Sequence, residues 1–517
     1  MSALKILWAD DEIDHLKAHL LFLEEKGYHV ETVNNGLDAV DKVKEAHFDL
    51  IFLDENMPGI SGLDALKQIK EKDSLVPVVM ITKNEEEHIM EDAIGSKIAD
   101  YLIKPVNPRQ ILMTIKRLTD NKRLITESVT QRYQQDFKNI GLDLMDRLDW
   151  PKWKELYKKL TYWEIEMDSS DETGMEEILK TQKADGNREF CKYISDKYVE
   201  FLEQKEGAPY MSHSVLKKGI LPKKKKGQPL FVLVLDNLRF DQWKTIQNDI
   251  SDYYRTVEED LYMSILPTTT QYARNSLFSG LLPSEIEQRF KDKWSNDEDD
   301  GGKNLHEDFF LNDQLQRLRS EYDATYIKVT NLHNAKEMVS RLPNIQNDEL
   351  VFIVYNFIDT LSHARTDNKV FREIAQDESA YRKLTLSWFQ HSPLLEAIQF
   401  LAERKIPLVV TTDHGSVKVD RTVKVVGERD TSTNLRYKTG KKLTYNPKEV
   451  FAIERPKDAH LPTQHMSSSF IFAKENDFFV YPNNLNHYAK YYRDTFQHGG
   501  VSMEEMIVPL IYLEPKS

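Results

Sequence analysis

Two groups of side chains in this sequence have the types and spacing needed to hold divalent cations. In the first, Asp236, Asp359 and Asp413 each close an apolar run: PLFVLVLD, ELVFIVYNFID and VVTTD. His414 follows Asp413 directly, and His363 stands four residues after Asp359, the spacing that shares one face of a helix. A buried carboxylate without a partner is costly, so three apolar runs that each finish in one point to a shared divalent cation. His498, in FQHGGVSMEEMIVPL, precedes two glycines that let the backbone turn tightly and bring an imidazole back towards the same strand ends. Between the first two runs, ILPTTTQYARNSLFSG sets a hydroxyl cluster ahead of a helix-like stretch. One of its threonines could sit at a helix N-terminus, where N–H groups and the dipole favour anions, and act as an oxygen nucleophile. The plainer reading of such a threonine is a helix cap.

The second group lies near the start. Residues 3 to 118 alternate apolar runs (ALKILWAD, YHVETV, FDLIFLD, PVVMIT, DYLIKP) with amphipathic ones. That rhythm predicts five strands alternating with helices, a doubly wound parallel sheet. Asp10 and Asp11 end the first strand, Asp54 the third, Thr82 the fourth and Lys104 the fifth, so all converge at one sheet edge. Three carboxylates crowded there would repel strongly without a divalent ion and a lysine.

The elements that position these groups follow from the rest of the chain. Its 517 residues allow about three domains, each with a core. After the first sheet, Ile111, Ile115, Leu118, Ile125, Val129, Tyr133 and Phe137 recur at helical spacing, predicting a helix that runs on past the domain edge. WPKWKELYKKLTYWEIEM and EFCKYISDKYVEFLEQKE complete a small helical bundle, with Gly141 and Asp185-Gly186 as expected breaks and Cys191 expected to be buried. GILPKKKKGQP reads as a solvated linker into the last domain, SNDEDDGGKN as an acidic surface loop, and Lys418 to Thr444 as an exposed hairpin insertion. The domains expected are thus 1–118, 119–210 and 211–517.

Composition limits the function classes. Lys plus Arg total 70 against 84 Asp plus Glu, for a net charge of −14, which disfavours non-specific nucleic-acid binding. No helix-turn-helix signal follows the first sheet, so direct DNA binding is disfavoured as well. The one cysteine excludes an intrachain disulfide framework. The apolar start is interrupted by Asp10, Asp11 and Glu12, and no run approaches the ~18 residues of a membrane helix, so a cytoplasmic protein without membrane insertion is expected.

WADDE, LDENMPGISGLD, MITKN and YLIKPVNP resemble a two-component receiver domain. That resemblance implies a flavodoxin-like fold in which Asp54 accepts a phosphoryl group. It also implies that Asp10, Asp11, Asp54 and the Asn56 carbonyl hold Mg²⁺, while Lys104 and Thr82 stabilise the acyl phosphate. Tyr101 with Thr82 would be the switch pair, and Lys104-Pro105 would be cis. The second group, with PTTTQYARNSLFSGLLPSE, resembles the alkaline phosphatase superfamily, in particular nucleotide pyrophosphatase/phosphodiesterases and PglZ domains. By that resemblance the last domain is α/β, Thr270 is the nucleophile, and Asp359, His363 and His498 hold one Zn²⁺. Asp236, Asp413, His414 and the Thr270 oxygen would hold the other. Mixed carboxylate and imidazole ligation suits zinc, with Mn²⁺ next. Arg274, one helical turn after Thr270, is expected either to contact a substrate phosphate or to be a solvated helix residue. Thr270, in place of the Cys or Ser of a sulfatase, speaks against sulfate esters, and the third-metal ligands of phosphomonoesterases are not found, which favours a diester.

The order of parts resembles the PorX-type response regulators of the type IX secretion system. That likeness implies a sensor histidine kinase of the PorY kind as phosphodonor and a homodimer on phosphorylation. It also implies zinc-dependent phosphodiesterase activity on nucleotides or small cyclic or linear oligonucleotides. The alternative is a scaffold or transcriptional regulator, in which a metal-bound effector domain without turnover assembles on a transcription or secretion-system protein under phosphorylation control.

Overall fold

The computed structural model describes residues 4–516 apart from 74–75, 84–97, 169–172, 206, 297–298, 300–301, 303, 346–348, 368, 376, 429–430, 464, 466 and 483–484. For 119–131, 173–174, 365, 367 and 369–370 it describes the backbone alone. The chain divides into two units, Met1–Arg132 and Tyr133–Ser517.

In the first unit, β1 (Lys5–Ala9), β2 (His29–Val33), β3 (Leu50–Asp54), β4 (Val78–Thr82) and β5 (Asp100–Ile103) form one parallel sheet, ordered β2-β1-β3-β4-β5. Successive residues of a strand point to opposite faces, and here both faces are covered. Trp8, Phe52 and Val79 pack with Ile111 and Ile115 on one side, while Leu7, Ile51 and Leu53 pack with Ala65, Leu66 and Ile69 on the other. This strand order is the flavodoxin-like one, with its ligand crevice outside the carboxyl ends of β1 and β3. The expected helix between β4 and β5 falls on 84–97, outside the described residues. As expected, the last receiver helix does not stop near residue 118 and runs from Pro108 to Asp143. The side chains of Ile125 and Val129 are outside the described residues, whereas Ile111, Ile115 and Tyr133 are buried.

The second unit is built on β6 (Leu230–Leu235), β7 (Tyr254–Met263), β8 (Ala324–Val329), β9 (Leu350–Tyr355), β10 (Leu408–Thr411) and a last strand, Ile507–Pro515. Their order is β7, Ile507–Pro515, β10, β6, β9, β8. The four strands β10-β6-β9-β8 run parallel, and Ile507–Pro515 is antiparallel to both of its neighbours. β6, β9 and β10 are buried along their whole length, which is why they read as uninterrupted apolar runs. Their adjacency brings three distant carboxyl ends to one crevice.

Three expectations for the connecting segments are corrected. Gly141 and Asp185-Gly186 do not break helices: they lie inside Pro108–Asp143 and Thr173–Leu202. Glycine inside a helix costs only about 1 kcal/mol, and Gly186 gives room for the Met503 side chain, which would meet a Cβ there at 3.2 Å. The Lys418–Thr444 stretch is not an exposed hairpin. Arg421–Lys424 pairs with Asp477–Val480 and Tyr437–Lys441 pairs with Ser468–Ala473, so burial of Val423, Val425 and Tyr437 sends the two strands to different partners. Within the lysine run, Lys224 is buried with its ammonium 4.1 Å above the Tyr322 ring rather than solvated. Cys191 is buried as expected, and burial pushes its thiol up to about 12.

Candidate functional site

At the receiver crevice, Asp10, Asp11 and Asp54 offer oxygens that all lie within 4.8 Å of one another. Lys104, directly after β5, reaches between two of them, 2.9 Å from Asp10 Oδ2 and 2.9 Å from Asp54 Oδ1. Burial pushes the Asp54 carboxyl up to about 6 against the Lys104 hydrogen bond, with Asp10 and Asp11 adding to the rise. Thr82 is buried at the end of β4, Tyr101 is 38% exposed on β5, and Asn56 is exposed in the bend after β3. The Lys104–Pro105 peptide is cis.

The second crevice holds the other group. Asp236 directly follows β6, Asp413 and His414 stand just beyond β10, and all three are buried. Asp359 is not at a strand end as its apolar run suggested. It lies in the first turn of helix Phe357–Asp367, which places His363 one turn on, with Nε2 3.5 Å from Asp359 Oδ2. Val417–Lys418 pairs with Phe496–Gln497, joining the segment after His414 to the one before His498. The two imidazoles stack as a result, their centroids 4.4 Å apart, and His498 Nε2 comes within 3.5 Å of Asp359 Oδ1.

Two clusters arise: Asp359, His363 and His498, and Asp236, Asp413 and His414, each with ligand atoms within 4.8 Å of one another. Thr270 opens a π-helical turn, Thr270–Arg274, that leads into helix Asn275–Ser279. Thr269 rather than Thr270 holds the cap position, so the Thr270 hydroxyl is not a helix cap and faces the second cluster instead. It lies 3.2 Å from His414 Nε2 and 3.5 Å from Asp236 Oδ1.

The donor set fits a pair of divalent ions. Nδ1 of His414 lies 3.1 Å from the Gly415 carbonyl and Nδ1 of His498 3.2 Å from the Thr268 carbonyl. A carbonyl can only accept, so each Nδ1 carries the proton and each Nε2 keeps a lone pair for a ligand, the usual outer-shell arrangement of metal-binding histidines. Burial, with His414 and His363 beside it, holds His498 well below its ordinary pKa, so its ring is neutral. Buried Asp413 Oδ2 accepts no hydrogen bond, and its nearest polar neighbours among the ion pairs, His414 Nε2 and the Arg274 guanidinium Nε, stand off at 3.7 and 3.8 Å. Burial raises Asp236 well above the usual carboxylate range; Arg274 opposes the rise, and Asp413 and Asp359 add to it.

Arg274 is corrected on both expectations. It is 0% exposed, which excludes a solvated residue and closes it to a substrate in the cleft. Its guanidinium lies 2.9 Å from Asp236 Oδ2 and 2.6 Å from Glu307 Oε1, behind the carboxylates. Glu307 also takes Lys328 at 2.7 Å and the Tyr326 hydroxyl. Burial works against its ionisation, but Arg274 and Lys328 hold Glu307 below its ordinary value.

Other supporting residues went unread in the sequence. Asn237 Nδ2 lies 3.3 Å from Asp359 Oδ1, tying the β6 end to the neighbouring helix. Glu505 is paired with buried Arg436 at 2.6 Å, and its Oε1 accepts the Gly500 N–H at 2.8 Å, fixing the turn after His498. The adjacency of Asn237 to Asp236 was the one available signal; Glu307 and Arg436 sit in largely polar stretches with no period to mark them, and Glu505 is one of two adjacent glutamates in an otherwise mostly apolar run.

Comparison with known proteins bears out the receiver and the alkaline phosphatase-like domain. A model of the response regulator receiver domain matches residues 6–116, one of the PorX response regulator linker domain 123–202, and one of the BREX system PglZ alkaline phosphatase-like domain 215–513. Among curated proteins, the chain is 36% identical over 114 residues to the transcriptional regulatory protein ResD of Bacillus subtilis (strain 168), 22% of this chain and 47% of that protein. It is 34% identical over 136 residues to ZraR of Klebsiella oxytoca, 26% of this chain and 31% of that protein. The chain therefore spans less than half the length of either relative. Solved structures similar to it include the chemotaxis protein CheY4 of Vibrio cholerae (30% identity, 22% of this chain, 98% of that chain, TM-score 0.22) and DrrB of Thermotoga maritima (27% identity, 23% and 54%, TM-score 0.22).

Sheet order, crevice and matched models together define a response regulator, a receiver with an effector domain of the alkaline phosphatase-like class. The chain belongs to the PglZ alkaline phosphatase-like family, in the PorX-type arrangement of receiver, linker and PglZ domain. Among the described residues, no helix is long and apolar enough to cross a membrane.

Proposed function

We propose that the effector domain hydrolyses phosphoric diesters at a two-zinc centre with Thr270 as nucleophile, under control of phosphorylation at Asp54. The observation that carries this reading is the Thr270 hydroxyl, 3.2 Å from His414 Nε2 and next to two ligand clusters joined by the His414–His498 stack. Asp359, His363 and His498 would hold one ion, and Asp236, Asp413, His414 and the Thr270 oxygen the other. Zinc bound there would lower the pKa of the hydroxyl and stabilise the attacking and departing oxygens of an in-line displacement. Deprotonated Thr270 attacks phosphorus, the bond to the departing alcohol breaks, and a phosphothreonine ester forms. Water then cleaves that ester and restores the hydroxyl. Arg274 keeps Asp236 and Asp413 in place from behind, and Glu307 keeps Arg274.

The substrate proposed is a small cyclic or linear oligonucleotide. In the receiver, Asp10, Asp11, Asp54 and the Asn56 carbonyl would hold Mg²⁺, Lys104 and Thr82 would contact the acyl phosphate, and Tyr101 would move with Thr82. A sensor histidine kinase supplies the phosphoryl group, the phosphorylated chain dimerises, and the output regulates type IX secretion. We assign 1–118 to the receiver, 119–210 to the linker and 211–517 to the effector.

The test is zinc-loaded protein on bis(4-nitrophenyl) phosphate and on 4-nitrophenyl phosphate. Faster turnover of the diester is expected, with a loss of at least about 10³-fold in kcat for Thr270→Ala. If neither ester is cleaved, or Thr270→Ala matches the wild type, the effector is a metal-bound interaction scaffold instead.

A further inference from the structure

The three carboxylates of the candidate centre are anchored beyond adjacent strands, but His498 and Thr270 lie on loops that the central sheet does not hold. What holds them includes the linker. On helix Thr173–Leu202, Lys183, Asn187, Cys191, Ile194 and Tyr198 recur at steps of four, four, three and four, which places them on one face. The polar members of that face reach the two loops. Asn187 Oδ1 accepts the Met503 N–H at 2.7 Å, and its Nδ2 donates to Glu504 Oε2 at 2.9 Å. Lys183 Nζ lies 2.9 Å from Glu504 Oε1, and Cys191 Sγ 3.3 Å from the Val501 carbonyl. Towards the other end, the Tyr198 hydroxyl accepts the Leu266 N–H at 2.7 Å.

These bonds satisfy groups that secondary structure leaves open. Met503 begins a short helix, Met503–Met506, so its N–H has no intrahelical acceptor. Leu266 lies between β7 and the Thr270 turn, outside any strand ladder. Both residues are buried, and an unsatisfied buried N–H is costly. From Val501–Glu505 the grip passes to the site in two directions: Gly500 N–H bonds Glu505 Oε1 at 2.8 Å, and Gly415 N–H, next to His414, bonds the Glu505 carbonyl at 3.1 Å. The loops are tied to each other as well, by Gly499 N–H to Thr268 Oγ1 at 2.9 Å.

We propose that helix Thr173–Leu202 is a splint for the metal centre, with Asn187 and Tyr198 as positioning residues that set the His498 turn and the Thr270 loop relative to the sheet. Its catalytic consequence rests on the two-zinc reading above; its structural consequence does not.

The test uses the full-length chain and three variants. Asn187→Leu removes both amide bonds. Asn187→Asp sets a carboxylate against Glu504. Asn187→Asp combined with Glu504→Gln rebuilds both bonds, the introduced carboxylate accepting from Met503 N–H and from the introduced amide. In hydrogen–deuterium exchange, both single variants are expected to lose protection at least about tenfold in 265–271 and 498–506 while β6, β9 and β10 keep theirs, and the double variant to recover it. With zinc bound, kcat on the chromogenic diester should fall about 10- to 100-fold at little-changed KM, along with resistance of the zinc to chelation, and return in the double variant. Unchanged protection in the two segments, uniform loss across the sheet, or a double variant no better than Asn187→Asp would overturn the splint. If protection responds while the wild type neither binds zinc nor cleaves the diester, the splint stands and the two-zinc reading fails.

Discussion

Asp413 shows why this site could be read from single residues. Its carboxylate is fully buried, and one oxygen accepts no hydrogen bond. An Asp-His pair alone means little, since most such pairs are surface or capping residues; its repetition in kind at Asp236 and at Asp359 with His363 is what made the grouping legible. Arg274 was misread because sequence spacing gives direction along a helix and says nothing of depth. Lys438 is a second case of hidden burial: it is 3% exposed, donates to the Ser432 carbonyl at 2.7 Å, and is pushed down to about 8 by burial. Its unfolded value is about 10.4. Between about 8 and 10.4 the unfolded chain binds the proton and the folded chain does not, so this lysine makes stability rise with pH in that window. Lys438→Met should flatten that rise, as read by urea denaturation at pH 7 and pH 10. A variant whose stability rises as steeply as the wild type's between pH 7 and pH 10 would contradict this account.

At the scale of elements, adjacency in the sheet converts sequence into a site: β10, β6 and β9 are neighbours, so their carboxyl ends meet. The apolar runs made those strands legible, because only strands buried on both faces read that way. The small sheets were not legible, since Arg421–Lys424 and Tyr437–Lys441 are paired by partners some 30 to 60 residues on, and no local pattern encodes that choice. The turn after His414 is equally non-local. A Cβ at Gly415 would overlap the Glu504 carbonyl oxygen, so the loop closes only around a residue without a side chain. Gly415→Ala should cost about 1–3 kcal/mol in thermal or urea unfolding and weaken zinc retention. Wild-type stability and zinc content in that variant would show that the loop can shift without consequence.

For the whole molecule, the two crevices belong to different units of one chain, which suits a signal received at one and spent at the other. The proposed link is phosphorylation-driven dimerisation. Beryllofluoride should raise the mass measured by light scattering from one chain to two, and Asp54→Asn should abolish the change; an unaltered mass in the wild type would argue against dimerisation as the output. The order of the parts was visible in their motifs, whereas the hold of the linker on the effector loops was not, because most of its bonds end on backbone groups that any sequence could supply and the rest on Glu504, some 320 residues further along the chain. The central claim is most directly tested by counting zinc per chain, in excess Mg²⁺, for the wild type, Asp413→Asn and Asp359→Asn. Two ions are expected in the wild type and one in each variant; a wild type without zinc, or three proteins with the same content, would contradict it.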